Sequence, residues 1–172
     1  MSNEIKFINC VEAYSYLTHK RDLDIIINMK LMAENRRARF EYELLDTYEA
    51  GIVLTGDEIK SVRLGHLSLV DTYGYIKNGE CFLRNSYIKE YNNSFDAGRF
   101  GDNTRRDRKL LLHKEEIIKI KKKIETEHLT IVPTKAYFVD SNLKVEIAVA
   151  RGKKLYDKRE ALKKKDLDRK LK

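Results

Sequence analysis

Cysteine is nearly absent. Cys10 and Cys81 are the two in 172 residues, and neither stands in a Cys-x-x-Cys or Cys/His spacing that could hold a structural zinc. A disulfide framework is excluded, and a reducing, cytoplasmic setting is expected. Long apolar runs are missing too: the stretches Leu23 to Leu31 and Ala136 to Ala150 are broken by charge, well short of the roughly 20 residues a membrane-spanning helix needs. No membrane partner is expected. The N-terminus lacks a basic region followed by an apolar segment and a small-residue cleavage site, so no secretory signal is legible.

Catalytic patterns are equally scarce. Gly51 to Gly56 begins like a phosphate loop, but Asp57 stands where a lysine must meet the phosphates, which inverts the required charge. His19, His66, His113 and His128 are isolated from one another and from cysteine, as surface or helix-end histidines are. There is no Gly-x-Ser-x-Gly elbow. The pairs Asp57/Glu58 and Glu115/Glu116 sit where helices start, as ordinary partners of the helix dipole. The expectation is a protein that is not an enzyme, with no cofactor and no metal.

What the chain does carry is positive charge, and its location is informative. The formal net charge is +8. Residues 1–30 are balanced, with four bases and four acids, and residues 31–150 hold 20 bases against 19 acids. Residues 151–172 hold 11 bases against four acids. Within that tail Glu160/Lys164, Asp166/Lys170 and Asp168/Lys172 lie at i, i+4 with the acid first, the orientation that supports a helix. Leu155, Leu162, Leu167 and Leu171 do not form a stripe wide enough to dock such a helix on a core, and an isolated helix of this length is marginal in water. The tail is expected to be mobile alone and helical on a polyanion.

The length suits one domain with tails. Residues 1–28 form an extension without a motif, and the body begins near Asn28 to Met32. Phe40 to Leu44 alternate with period two, which predicts a half-buried strand. Thr55-Gly-Asp-Glu58 has the form of a capping box and opens a short helix that Gly65 can close. Asn78-Gly79 predicts a hairpin between a strand near Thr72 to Lys77 and one from Cys81 to Ile88. Residues 91–108 read as a long irregular loop, and Lys114 to His128 as a helix with Ile117, Ile120 and Ile124 toward the core. Thr130 to Val139 and Leu143 to Arg151 predict a second hairpin across Asp140-Ser-Asn142. The fold class is mainly β: an OB-like closed antiparallel β-barrel with inserted short helices over residues 29–152, followed by a flexible basic C-terminal tail, residues 153–172. Ten Tyr, six Phe and the arginines Arg36, Arg37, Arg39, Arg99, Arg105, Arg106 and Arg108 make RNA the natural partner, through base stacking and phosphate contacts. A general ribosomal-RNA-binding or initiation-type OB protein satisfies this composition as well.

Six ordered motifs narrow the choice: Asn35-Arg-Arg-Ala-Arg39, Tyr48-Glu-Ala-Gly-Ile52, Gly56-x-Glu58-x-Lys60-Ser61-x-Arg63-x-Gly65, Asp71-x-Tyr73, Arg108-Lys-Leu-Leu-Leu112 and Gly152-Lys-Lys-x-x-Asp-Lys-Arg159. Together they resemble the bacterial SsrA-binding protein family, small protein B, from residue 31 to about residue 170. Asp102-Asn-Thr104 departs from the His-Asp-Pro run usual in that family, and His66 stands where a lysine is common.

The resemblance implies a monomeric, non-catalytic protein that binds the tRNA-like domain of transfer-messenger RNA. It implies delivery of that RNA to stalled ribosomes for trans-translation, with elongation factor Tu and GTP escorting the aminoacylated RNA. By the same resemblance, Asn35, Glu49, Leu111 and Lys144 are expected on the RNA face, where the arginines Arg36, Arg37, Arg39 and Arg108, read from composition, join them as phosphate contacts. Lys153, Lys154, Tyr156, Asp157, Lys158, Arg159, Lys163, Lys164 and Lys165 are expected to enter the small-subunit decoding centre and the empty messenger channel as a helix. From the residues alone, Glu49 reads as a surface acid and Leu111 as core.

Overall fold

The alternation that follows the basic cluster becomes a long interior strand of a sheet, but it starts two residues later than the sequence suggests. In the computed structural model, which describes residues 29–91 and 104–154, β1 (Met29–Glu34) is followed by α1 (Arg36–Glu41) and then β2 (Tyr42–Ile52). Phe40 and Glu41, expected in the strand, belong to α1. The Asn35 side chain caps that turn by accepting from the Ala38 N–H at 3.1 Å, and a satisfied N-cap outweighs two residues of strand periodicity.

Further along, α2 (Gly56–Arg63) starts at the expected capping box: Thr55 N–H donates to Glu58 Oε2 at 2.8 Å, and Glu58 N–H donates to Thr55 Oγ1 at 3.4 Å. A two-residue strand β3 (Leu67–Ser68) precedes the hairpin of β4 (Tyr73–Lys77) and β5 (Glu80–Arg84). Asn78 and Gly79 both take positive φ, +53° and +75°, which is the turn that matches strand twist. Then come β6 (Tyr87–Ile88), β7 (Arg108–Leu111), α3 (Lys114–Glu127), β8 (Thr130–Val139) and β9 (Asn142–Gly152). Thus Arg108 to Leu111 form a strand, and residues 92–103 of the expected loop lie outside the described residues.

The protein is mainly β, and every strand pairing is antiparallel. Seven strands run in the order β1-β8-β4-β5-β7-β2-β9, β8 pairs with β9 in addition, and β3 pairs with β6. β4 meets β8 at Gly74 opposite Ile131, where glycine is required: a Cβ there would lie 2.5 Å from Ile131 Cγ2.

The core comprises Leu83, Leu110, Ile120, Ile131, Ile147 and Val149 among others. α3 contributes Ile120 and Ile124 to it, while Lys119, Lys121 and Lys122 stay exposed as the periodicity predicts. Lys123 leans back to Asp46 on β2 at 2.5 Å. Cys81 is buried and its thiol is pushed up to about 11 by burial, which makes it a poor nucleophile. Among the described residues no helix is long and apolar enough to cross a membrane, and no group of three or more His, Cys, Asp or Glu could hold a metal.

Candidate nucleic-acid interface

Strand register gathers three of the expected residues. Gly51 on β2 lies opposite Leu111 on β7 and opposite Lys144 on β9, and Glu49 stands two residues before it. On β7 the inward positions are Arg108 and Leu110, so Leu111 faces outward and is 54% exposed. Its placement in the core, the reading from residues alone, is corrected by this alternation. Leu111 and Lys144 also line an open groove with Ile52, Leu54, Ile59 and Leu143.

Glu49 is held between two partners. The Tyr137 hydroxyl donates to Glu49 Oε2 at 2.5 Å, and Lys144 Nζ lies 3.2 Å from Oε1. The Tyr137 bond and, against a smaller desolvation effect, Lys144 keep the Glu49 carboxyl below the ordinary carboxylate range. Burial and the same carboxylate push the Tyr137 phenol up. At neutral pH the group therefore offers an ionised acceptor, an ammonium and an exposed apolar side chain within one small area. Those three suit a base N–H, a phosphate and a base face respectively. Sequence reading did not single out Tyr137, although the hairpin register that pairs Val139 with Asn142 puts Tyr137 opposite Lys144.

Two other expected residues are not on that face. Asn35 is 5% exposed and its amide is spent inside: besides capping Ala38, its Nδ2 donates to Leu69 O at 3.0 Å and to Pro133 O at 3.1 Å. Arg108 is fully buried. Its guanidinium donates to Glu58 Oε1, Ser86 O, Ser86 Oγ at 2.9 Å and Thr104 O at 3.0 Å. Burial works against the Glu58 charge, but Arg106, the Thr55 N–H and Arg108 together hold the Glu58 carboxyl below its ordinary range. In this structure both residues serve as internal braces, with their donors engaged by the protein itself. The motif showed that arginine and asparagine belong at these positions, while only tertiary structure shows that their donors are already used.

The remaining arginines lie at the other end of β2. Arg36, Arg37 and Arg39 are exposed on α1; Arg36 pairs with Glu34, and Arg37 with Glu41 and Asp71. α1 buries Ala38 against Val132 and Ala150. It adjoins Tyr42, seven residues along β2 from Glu49, a separation of roughly 20 Å along a strand. The root of the tail is fastened there: Lys153 N–H donates to Glu41 O at 2.9 Å and Lys153 Nζ to Arg39 O at 3.0 Å. Lys154 is exposed beside it. Tyr156, Asp157, Lys158, Arg159, Lys163, Lys164 and Lys165 lie outside the described residues.

Against this geometry, the sequence model of the family described as SmpB protein matches residues 32–172. An SsrA-binding protein of Gloeothece citriformis is 52% identical over 140 residues, spanning 81% of this chain and 89% of its own. An SsrA-binding protein of Mesorhizobium japonicum is 50% identical over 143 residues, with 83% and 88% covered. A solved structure described as "tmRNA-SmpB: a journey to the center of the bacterial ribosome" contains a chain 44% identical to this one. It superposes with a TM-score of 0.59 over 75% of this chain and 92% of that one.

Proposed function

The chain belongs to the SmpB protein family, and on that premise we propose that it binds the tRNA-like domain of transfer-messenger RNA and delivers it to stalled ribosomes in trans-translation. It does so as a monomeric cytoplasmic binding protein with no chemical step of its own. The observation that carries this reading locally is the cluster of Glu49, Leu111 and Lys144, in which a carboxylate is kept ionised by Tyr137 beside an exposed leucine. The general ribosomal-RNA reading is not favoured, because relatives about 50% identical over four fifths of the chain are SsrA-binding proteins.

The strand pairings support an OB-like closed barrel as the body: the circuit β8-β4-β5-β7-β2-β9 returns to β8. Arg36, Arg37 and Arg39 add phosphate contacts at the α1 end. The tail, with Lys153, Lys154, Tyr156, Asp157, Lys158, Arg159, Lys163, Lys164 and Lys165, becomes helical in the decoding centre and the vacant messenger channel. An α-helix with side chains is about 10 to 12 Å across, so message in the channel excludes it, and stalled ribosomes are selected. Elongation factor Tu with GTP escorts the aminoacylated RNA. Residues 1–28 precede the part that the family shares.

Glu49→Ala and Lys144→Ala should each weaken binding of the tRNA-like domain by roughly tenfold at fixed salt, with thermal stability little changed. Lys144→Ala should also reduce the salt slope by about one phosphate. Unchanged affinity in both variants, measured by mobility shift, would remove this face from the account.

A further inference from the structure

Beyond Leu111 the outward side of the sheet continues onto β5 and β4. Phe82 lies opposite Lys109 on β7, Tyr75 opposite Phe82, and Tyr73 opposite Arg84. Their strand neighbours Gly74, Cys81 and Leu83 are buried, so Tyr73, Tyr75, Phe82 and Arg84 share the outer side. The rings of Tyr75 and Phe82 stack with centroids 5.5 Å apart and planes 22° apart. The Arg84 guanidinium lies 4.5 Å from the Tyr75 centroid. Asp107 fixes the arrangement: Arg84 donates to it twice, at 3.0 and 2.8 Å, and the Tyr75 hydroxyl donates at 2.8 Å.

Two features choose the occupant. Arg84 and Lys109 are already matched by Asp107 and Glu80, so this patch offers flat π and guanidinium surfaces rather than free positive charge. Such surfaces hold bases and leave phosphates to be met elsewhere. The patch is also continuous with the Glu49, Leu111 and Lys144 cluster. From Lys144 on β9 through β2, β7 and β5 to Tyr75 on β4 there are four inter-strand steps of about 4.8 Å, roughly 19 Å in all. We propose that Tyr75, Phe82 and Arg84 form a base-stacking platform that takes unpaired nucleotides of the same RNA that Glu49, Leu111 and Lys144 grip. The proposal rests on the RNA-binding reading above and adds to it the kind of RNA recognised there, single-stranded rather than helical.

The chain contains no tryptophan, so Phe82→Trp places a single reporter on the platform in the full-length protein. Titrated to saturation with the tRNA-like domain, this variant should show tryptophan emission that falls by about half or more as a base stacks on the indole. The double variant Tyr75→Ser, Phe82→Ser, checked for folding by circular dichroism, should lose roughly 10- to 100-fold in affinity. A saturated complex whose tryptophan emission is unchanged overturns the platform while leaving the RNA site intact, even if the face later proves to bind a protein. Failure of the unmodified protein to bind the RNA at all removes the underlying reading, and the platform with it.

Discussion

Truncation after Lys154 is expected to abolish peptide tagging on stalled ribosomes while changing affinity for the tRNA-like domain in solution by less than about threefold. The deleted segment carries eight bases against four acids, enough to add strongly to any polyanion contact it makes. If it met the RNA in solution, its loss would lower affinity steeply and flatten the salt dependence. The proposed division of labour puts that charge to use only inside the ribosome. Cutting after Lys154 rather than after Gly152 preserves both Lys153 bonds to Arg39 and Glu41, so the α1 corner stays capped and a fold defect does not confound the result. Tagging measured in a reconstituted system, together with mobility shifts at two salt concentrations, separates the outcomes. Loss of solution binding in parallel with tagging would mean that the tail belongs to the RNA-binding face.

Replacing Arg108 by methionine is expected to lower the unfolding temperature by roughly 10 °C. The guanidinium is wholly buried and satisfies Glu58, three backbone carbonyls and the Ser86 hydroxyl. Removing it takes from Glu58 one of its two arginine partners and leaves several buried acceptors without a donor, a change that costs about 3 to 5 kcal/mol when one partner of a buried ion pair is deleted, and each kcal/mol shifts the midpoint by about 2 to 4 °C in a chain of this size. Lysine should rescue little, since it lacks the planar fork that reaches Glu58 and Ser86 together. Calorimetry of the free protein decides the point. A variant that melts normally yet binds RNA weakly would return Arg108 to the RNA face.

Local signals and tertiary satisfaction divide what the sequence reveals from what it hides. Asn78-Gly79, the Thr55/Glu58 box and the isoleucines of α3 are short-range devices whose geometry is complete within a few residues, and each appears where the pattern puts it. The start of β2 was displaced because Asn35 is a short-range device of the same kind, an N-cap, that alternation alone conceals. For the site, Glu49 and Leu111 stand in family motifs and Lys144 enters only through the wider resemblance, and the register of three strands brings them together. Motifs alone could not tell an arginine that offers its donors from one that has spent them, which is why Arg108 and Asn35 were expected outside. Tyr137 and the Tyr75/Phe82 stack are hidden in the sequence for a related reason: an aromatic in a strand reads as core until the pairing shows which side it faces.

Selectivity is the most direct test of the central claim that this body recognises one folded RNA. Affinities for the isolated tRNA-like domain and for an ordinary elongator tRNA, measured by competition at one near-physiological salt concentration, should differ by a factor of roughly 100 or more in favour of the tRNA-like domain. Equal affinities with equal salt slopes would contradict it, and would describe a general polyanion binder instead.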